Sequence, residues 1–197
     1  MRKNAISIDL DVFTFLDLDE AMQSLTRLMG FVRNAGVADV YLASDHDVLP
    51  IIDENDIQSW TIHNFDQHDD CGLLDSCDPW NIGCWGSEFM SAGGELIWHP
   101  HSLSYVECGY ESPKMRHWDN HEDILVGLPP VIDTCGVYVS TPWLGQRGNP
   151  HIEGMTYVSE VVRTCDQLDM AVNGRNPGDW SFRELYDLVL SAGAGER

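Results

Sequence analysis

Three short stretches of this chain each close an apolar run with acidic residues or histidine: Ile6 to Asp11 (ISIDLD), Val40 to His46 (VYLASDH) and Thr61 to Asp70 (TIHNFDQHDD). From them, four carboxylates, Asp9, Asp11, Asp66 and Asp70, and two imidazoles, His46 and His68, are the candidate ligands. That donor set suits a pair of divalent cations sharing a bridging carboxylate, and mixed oxygen and nitrogen donors favour manganese, zinc or iron over magnesium or calcium. Without a cation, four carboxylates gathered at one point would repel one another strongly. Taken singly the pieces are ordinary. Alone, Asp9 and Asp11 are more often the solvent face of an edge strand, and Asp45-His46 at a strand end is usually a turn with a surface or satisfied core histidine. The alternation of Asp66, His68 and Asp70 behind an apolar strand has little structural purpose, and it is the concurrence of all three stretches that points to metal.

The elements that must bring these residues together follow from periodicity. Residues two apart on a strand share a face, so Asp9 and Asp11 are expected to point into one site, as are Asp66, His68 and Asp70 if the chain stays extended. Leu18, Ala21, Met22, Leu25, Leu28, Met29 and Val32 recur at threes and fours, the stripe of a one-sided helix. Asp17, with Glu20 three residues on, reads as its cap, and Asn34 and Gly36 as its end. Asp39 to Ala43 and Trp60 to Phe65 read as strands, and Val48 to Ile52 as a possible helix start in which Pro50 is tolerated. The region from Cys71 to Gly94 reads as a long functional loop in which only Trp85 to Met90 looks helical. Further strands are expected at Glu95 to Trp98, Leu103 to Glu107, Ile124 to Val126 and Val137 to Ser140, a polar loop at Lys114 to His121, and helices at Thr156 to Met170 and Phe182 to Leu190.

Strand, helix, strand in alternation predicts an α/β fold: a three-layer, open, mostly parallel sheet flanked by helices, formed by residues 1–197 as a single domain. In such a sheet ligands bind at the carboxyl ends of the strands, which is where the three clusters would converge.

Charge filters the functions open to the chain. Its 32 Asp plus Glu against 11 Lys plus Arg give a formal net charge of -21, a field that repels nucleic acid phosphates and anionic membranes and attracts cations or basic substrates. No run of about 18 apolar residues occurs, and Asp9 and Asp11 break the apolar stretch of the N-terminus, so neither a membrane span nor a signal peptide is expected and the reading is cytoplasmic. The six cysteines make no C-x-x-C pair and read as reduced thiols.

The quoted segments resemble the superfamily of arginases, agmatinases and related deacetylases. VYLASDHDVLP is similar to its Gly-Gly-Asp-His strand end, NFDQHDD to its Asp-x-His-x-Asp motif and ISIDLDVF to its Asp-x-Asp strand. The resemblance implies two manganese ions, one held by His46, Asp66, Asp70 and Asp9 and the other by Asp66, His68, Asp9 and Asp11. Here the Asp-x-Asp strand opens the sequence instead of following the other motifs, which implies a permuted strand order. That trait and the short chain are closer to a family of small arginase-like proteins that includes the peptide arginases, enzymes that turn arginine side chains of a precursor peptide into ornithine with release of urea. The likeness covers residues 5 to 90.

On that resemblance Asp70, His68 and Glu88 are the candidate catalytic residues, with Asp70 orienting the attacking hydroxide. A carboxylate must also grip the guanidinium, and Glu88, Asp75 and Glu153 are the candidates. Trp80 and Trp85 would line a channel by cation–π contact or else pack in the core. The expected partner is an arginine-containing precursor peptide or a small guanidino substrate such as arginine or agmatine, with oligomerisation left open. Competing expectations are a zinc amide deacetylase, for which the sequence lacks a His-His pair, and a metal-dependent peptide-binding module without turnover. His99, His101, His117, His121 and His151 read most simply as loop or surface residues, with His99 and His101 the first to consider as extra participants in the site.

Overall fold

The structure is a computed structural model that describes residues 2–13, 16–37, 40–43, 51–71, 85–102 and 113–138. Six strands, β1 (Lys3–Asp9), β2 (Val40–Ala43), β3 (Trp60–Phe65), β4 (Glu95–Trp98), β5 (Lys114–Met115) and β6 (Thr134–Tyr138), form one sheet in the order β2-β6-β1-β3-β4-β5. Every pairing in it is parallel. The two described α-helices are α1 (Leu18–Asn34) and α2 (Trp85–Ser91).

A parallel sheet must be covered on both faces, and the alternation of β1 and β3 shows how this is done. Ile6, Ile8 and Phe65 join Val137 and the α1 stripe of Ala21, Leu25, Leu28, Met29 and Val32 in one core. Ala5, Ile62 and Leu96 project the other way, into a second core with Ile51, Ile52, Trp85 and Phe89. The described residues therefore build helix, sheet, helix, which is the α/β layering expected from the alternation of elements.

The first helix forms as its sequence directs. The Asp17 carboxylate accepts from the Glu20 amide at 2.9 Å and the helix closes at Ala35, with Gly36 at φ 80°, a left-handed turn that suits glycine. Glu20 does not complete a reciprocal capping box; its carboxylate meets His121 Nδ1 at 2.8 Å and ties α1 to the chain beyond β5.

Other expectations need correction. Lys114–Met115 is a short edge strand and not loop, because β4 offers an open parallel edge that the sequence of two exposed residues does not advertise. Ile124 to Val126 lies in turns, and Ile124 is buried by packing on the α1 core rather than by pairing. The strand expected from Val137 begins earlier, at Thr134. Between β2 and β3 the described chain carries a 3-10 segment, Glu54–Ser59, capped by Asp53; most of Val48 to Ile52 lies outside the described residues. So do Leu103 to Glu107 and the two helices expected after residue 150. No helix among the described residues is long and apolar enough to cross a membrane.

Candidate metal centre

β1 and β3 lie side by side at the middle of the sheet, and their register fixes the site. Ile8 pairs with Phe65, so the next residues, Asp9 at the last position of β1 and Asp66 just past β3, are neighbours. From here the chain runs to opposite sides: β1 leads to β2 at one edge, whereas β3 leads to β4 and β5 at the other. A crevice opens at the carboxyl ends of strands at such a switch point.

Neither segment stays extended. The strand ends at Asp9, and Asp11 sits in the 3-10 turn Leu10–Phe13 with its amide donating to Asp9 Oδ1 at 3.0 Å. After Phe65 the His68 amide donates to Asp66 Oδ1 at 2.8 Å, and Asp70 takes a positive φ of 53°. The expectation that strand alternation aligns Asp9 with Asp11, and Asp66 with His68 and Asp70, is thus wrong in its mechanism. Aspartate side chains that capture nearby amides turn the backbone out of the strand, and it is these turns that aim the carboxylates.

The turns bring Asp11, Asp66 and His68 together, with one donor atom from each lying within 4.8 Å of the others. His68 Nδ1 stands 3.2 Å from Asp11 Oδ2 and 3.7 Å from Asp66 Oδ1. Both carboxylates are buried. Cross-bonds hold the frame: the Gln67 amide donates to Asp11 Oδ1 at 3.2 Å, Asn64 Nδ2 to Asp66 Oδ2 at 3.3 Å, and the Trp98 indole to the Asp66 carbonyl at 2.9 Å.

The electrostatics of this cluster are those of a site short of positive charge. Burial, then the charges of Asp9 and Asp66, push the Asp11 carboxyl up to about 8 against the pull of His68. Burial opposes a charge on His68, yet its hydrogen bonds to Asp11 and Asp66 outweigh that and raise the imidazole. The cluster thus crowds three acidic side chains around one imidazole, with Asp11 driven toward its protonated form. A divalent ion relieves that imbalance, and buried oxygen donors with one imidazole nitrogen fit a transition metal of intermediate softness.

The remaining candidates fall in different places. Asp9 is buried beside the trio and supports Asp11. Asp70 is buried, and its Oδ2 accepts from the Trp85 indole at 2.6 Å. Trp85 accordingly has its polar edge turned to a carboxylate and its ring against Phe89, with centroids 6.5 Å apart, and reads as a support rather than as a channel wall. Glu88 is half-buried in the first turn of α2. His46, Asp75, Trp80 and Glu153 lie outside the described residues.

Two histidines expected in loops or at the surface lie outside the named strands, as loop residues, but are deeply buried. His99 and His101 are 2% and 4% exposed, and His99 Nε2 lies 3.0 Å from Nδ1 of His63. His63 shares its sheet face with Phe65, which stacks on His99 at 4.5 Å, so this pair belongs to the face opposite Asn64 and Asp66. Strand alternation in TIHNF carried that signal, since a buried strand places His63 inward as surely as Ile62. Trp98 was also missed; a buried indole at a strand end needs a hydrogen-bond acceptor, and here it is the Asp66 carbonyl. Comparison with known proteins adds nothing to this geometry: no family model, no curated protein and no solved structure matches the chain.

Proposed function

We propose that the chain is a binuclear manganese hydrolase of the arginase-like type, with permuted strand order, that converts arginine side chains of a peptide to ornithine and releases urea. The observation that carries this reading is the convergence of buried Asp11 and Asp66 with half-buried His68 at the carboxyl ends of β1 and β3. Its placement agrees with a ligand set split between the first and third strands. The surplus of acidic residues, -21 net, favours a cationic substrate over an anionic one.

Asp11, Asp66 and His68, with Asp9 beside them, would hold the cations together with Asp70 and His46. When bound there, the cations would supply Lewis acidity, lowering the pKa of a water toward neutral and polarising the guanidinium group. The chain's own part is to fix and exchange protons. Asp70 orients the attacking water, and His68, beside Asp11 and Asp66, is one of the two nitrogen donors of the set. Glu88, at the start of α2, is the described carboxylate offered to the guanidinium, where two parallel N–H···O bonds match the planar fork.

The test is direct. Protein loaded with manganese and given an arginine-rich peptide should release urea and leave ornithine residues in the peptide. Urea from free arginine or agmatine but not from the peptide would shift the substrate to a small guanidino compound. Release of acetate from acetyl-lysine with one zinc per chain would replace the reading by an amide deacetylase, and peptide capture with no product by a binding module.

A further inference from the structure

The first turn of α2 holds Asp70 by contacts that packing alone does not require. The Trp85 indole donates to Asp70 Oδ2 at 2.6 Å, a short charge-assisted bond of the stronger class. The next residue, Gly86, donates its amide to the Asp70 carbonyl at 3.0 Å. A side chain at Gly86 has no room: its Cβ would lie 2.9 Å from that carbonyl, 2.9 Å from Leu96 Cδ2 and 3.0 Å from Cys71 Sγ. Asp70 itself sits in the left-handed region, at φ 53°, which costs free energy for a residue with a side chain unless the surroundings fix it. Both ends of the residue, carboxylate and carbonyl, are therefore gripped by two consecutive residues of one helix.

A phenylalanine at position 85 would satisfy the contact with Phe89 as well as tryptophan does. What only the indole supplies is a donor aimed at a carboxylate. We propose that Trp85 is a positioning residue that acts through Asp70, setting the orientation in which that carboxylate serves the metal site, with Gly86 admitting the close approach that makes this possible. The inference rests on the metal-site reading and assigns a residue beyond it. Partners of this kind typically change metal affinity by about 10- to 100-fold when removed.

The experiment is a double-mutant cycle read by manganese titration and, with arginine peptide, by kcat and KM separately. Trp85→Phe should weaken manganese binding by about 10- to 100-fold and lower kcat more than it raises KM. Asp70→Asn, which tolerates a positive φ, should do at least as much. The double variant should be no worse than Asp70→Asn alone, because the indole then has no carboxylate to orient. Losses that multiply, or a Trp85→Phe protein that binds manganese like the parent, overturn the inference while leaving the metal site standing. A parent that binds no manganese overturns both. If Trp85→Phe does not fold, nitrogen-15 spectra decide: one indole N–H resonance should shift both in Asp70→Asn and on adding zinc to the parent, and its failure to respond to zinc overturns the inference.

Discussion

The two faces of the sheet bury titratable groups in opposite ways. On the α1 side His63 and His99 lie 3.0 Å apart, each able to serve the other as donor or acceptor when neutral. Burial and then the Arg116 charge hold His63 down to about 4, with Glu95 pulling weakly the other way; burial, His63 and Arg116 lower His99 further. That pair is complete as it stands. At the carboxyl ends of β1 and β3 three buried aspartates face a half-buried histidine, and burial with the neighbouring Asp9 and Asp66 charges pushes the Asp11 carboxyl up to about 8. Burial alone therefore does not mark a functional site. The distinction lies in how each cluster is satisfied: the histidine pair by a mutual hydrogen bond, the carboxylate cluster by driving Asp11 toward its protonated form, where a bound cation would compete with that proton.

The sharpest way to break the comparison is to remove one member from each cluster. Asp66→Asn should weaken manganese binding by at least about 100-fold, roughly 3 kcal/mol, while costing the metal-free fold little, since one of the repelling charges is gone. His99→Ala should do the reverse. It leaves a cavity and a buried imidazole without its partner, and should destabilise the fold by roughly 2 to 4 kcal/mol, with manganese affinity changed less than about twofold. Calorimetric titration and denaturant unfolding of the two variants read both quantities. Equal effects on affinity would mean that the faces are not separate.

A second test uses the sign of the pH dependence. His63 is neutral in the folded chain down to about 4 but takes a proton near 6.5 when unfolded, so between those values the unfolded state binds more protons. Stability from this residue is complete above about 6.5 and is lost as pH falls toward 4, by roughly 3 kcal/mol in all. Asp11, raised to about 8, acts oppositely, because its contribution is present at low pH and fades as pH rises. The difference in unfolding free energy between the parent and His63→Phe isolates the histidine. That difference should shrink as pH falls from 7 to 4, and a flat difference would show that the pair accepts a proton within the fold.

The outline of this fold was legible because its signals are local. The α1 stripe, its Asp17 cap and the apolar strands β1 and β3 each follow from short-range periodicity, and the parallel sheet follows from their alternation. The trio of Asp11, Asp66 and His68 was legible as a list of residues but not as a geometry. Asp66 turns the chain by accepting the His68 amide, Asp9 does so with the Asp11 amide, and such turns compete with strand alternation in a way that spacing alone does not reveal. The roles of Trp85, Trp98 and His99 depend on partners 15, 32 and 36 residues away. Contacts at that range are set by the sheet order, with β3 between β1 and β4, and a linear reading carries no trace of it.

The smallest effect compares two indoles that do the same job on the two faces. Trp98 donates to the Asp66 carbonyl at 2.9 Å and Trp118 to the His99 carbonyl at 3.0 Å. Both are almost wholly buried, so phenylalanine at either position strands one carbonyl and removes some ring volume. Each change should cost about 1 to 2 kcal/mol of stability, the usual range for a lost buried hydrogen bond with little else disturbed. Their effects on metal should differ. The Asp66 carbonyl belongs to a residue whose carboxylate lies in the trio, so Trp98→Phe lets that residue shift and should weaken manganese binding a few-fold. Trp118→Phe acts on the self-sufficient pair and should leave it unchanged. Stability from thermal unfolding and affinity from manganese titration separate the two, and a Trp118→Phe protein with the larger loss of affinity would place the cation on the wrong face of the sheet.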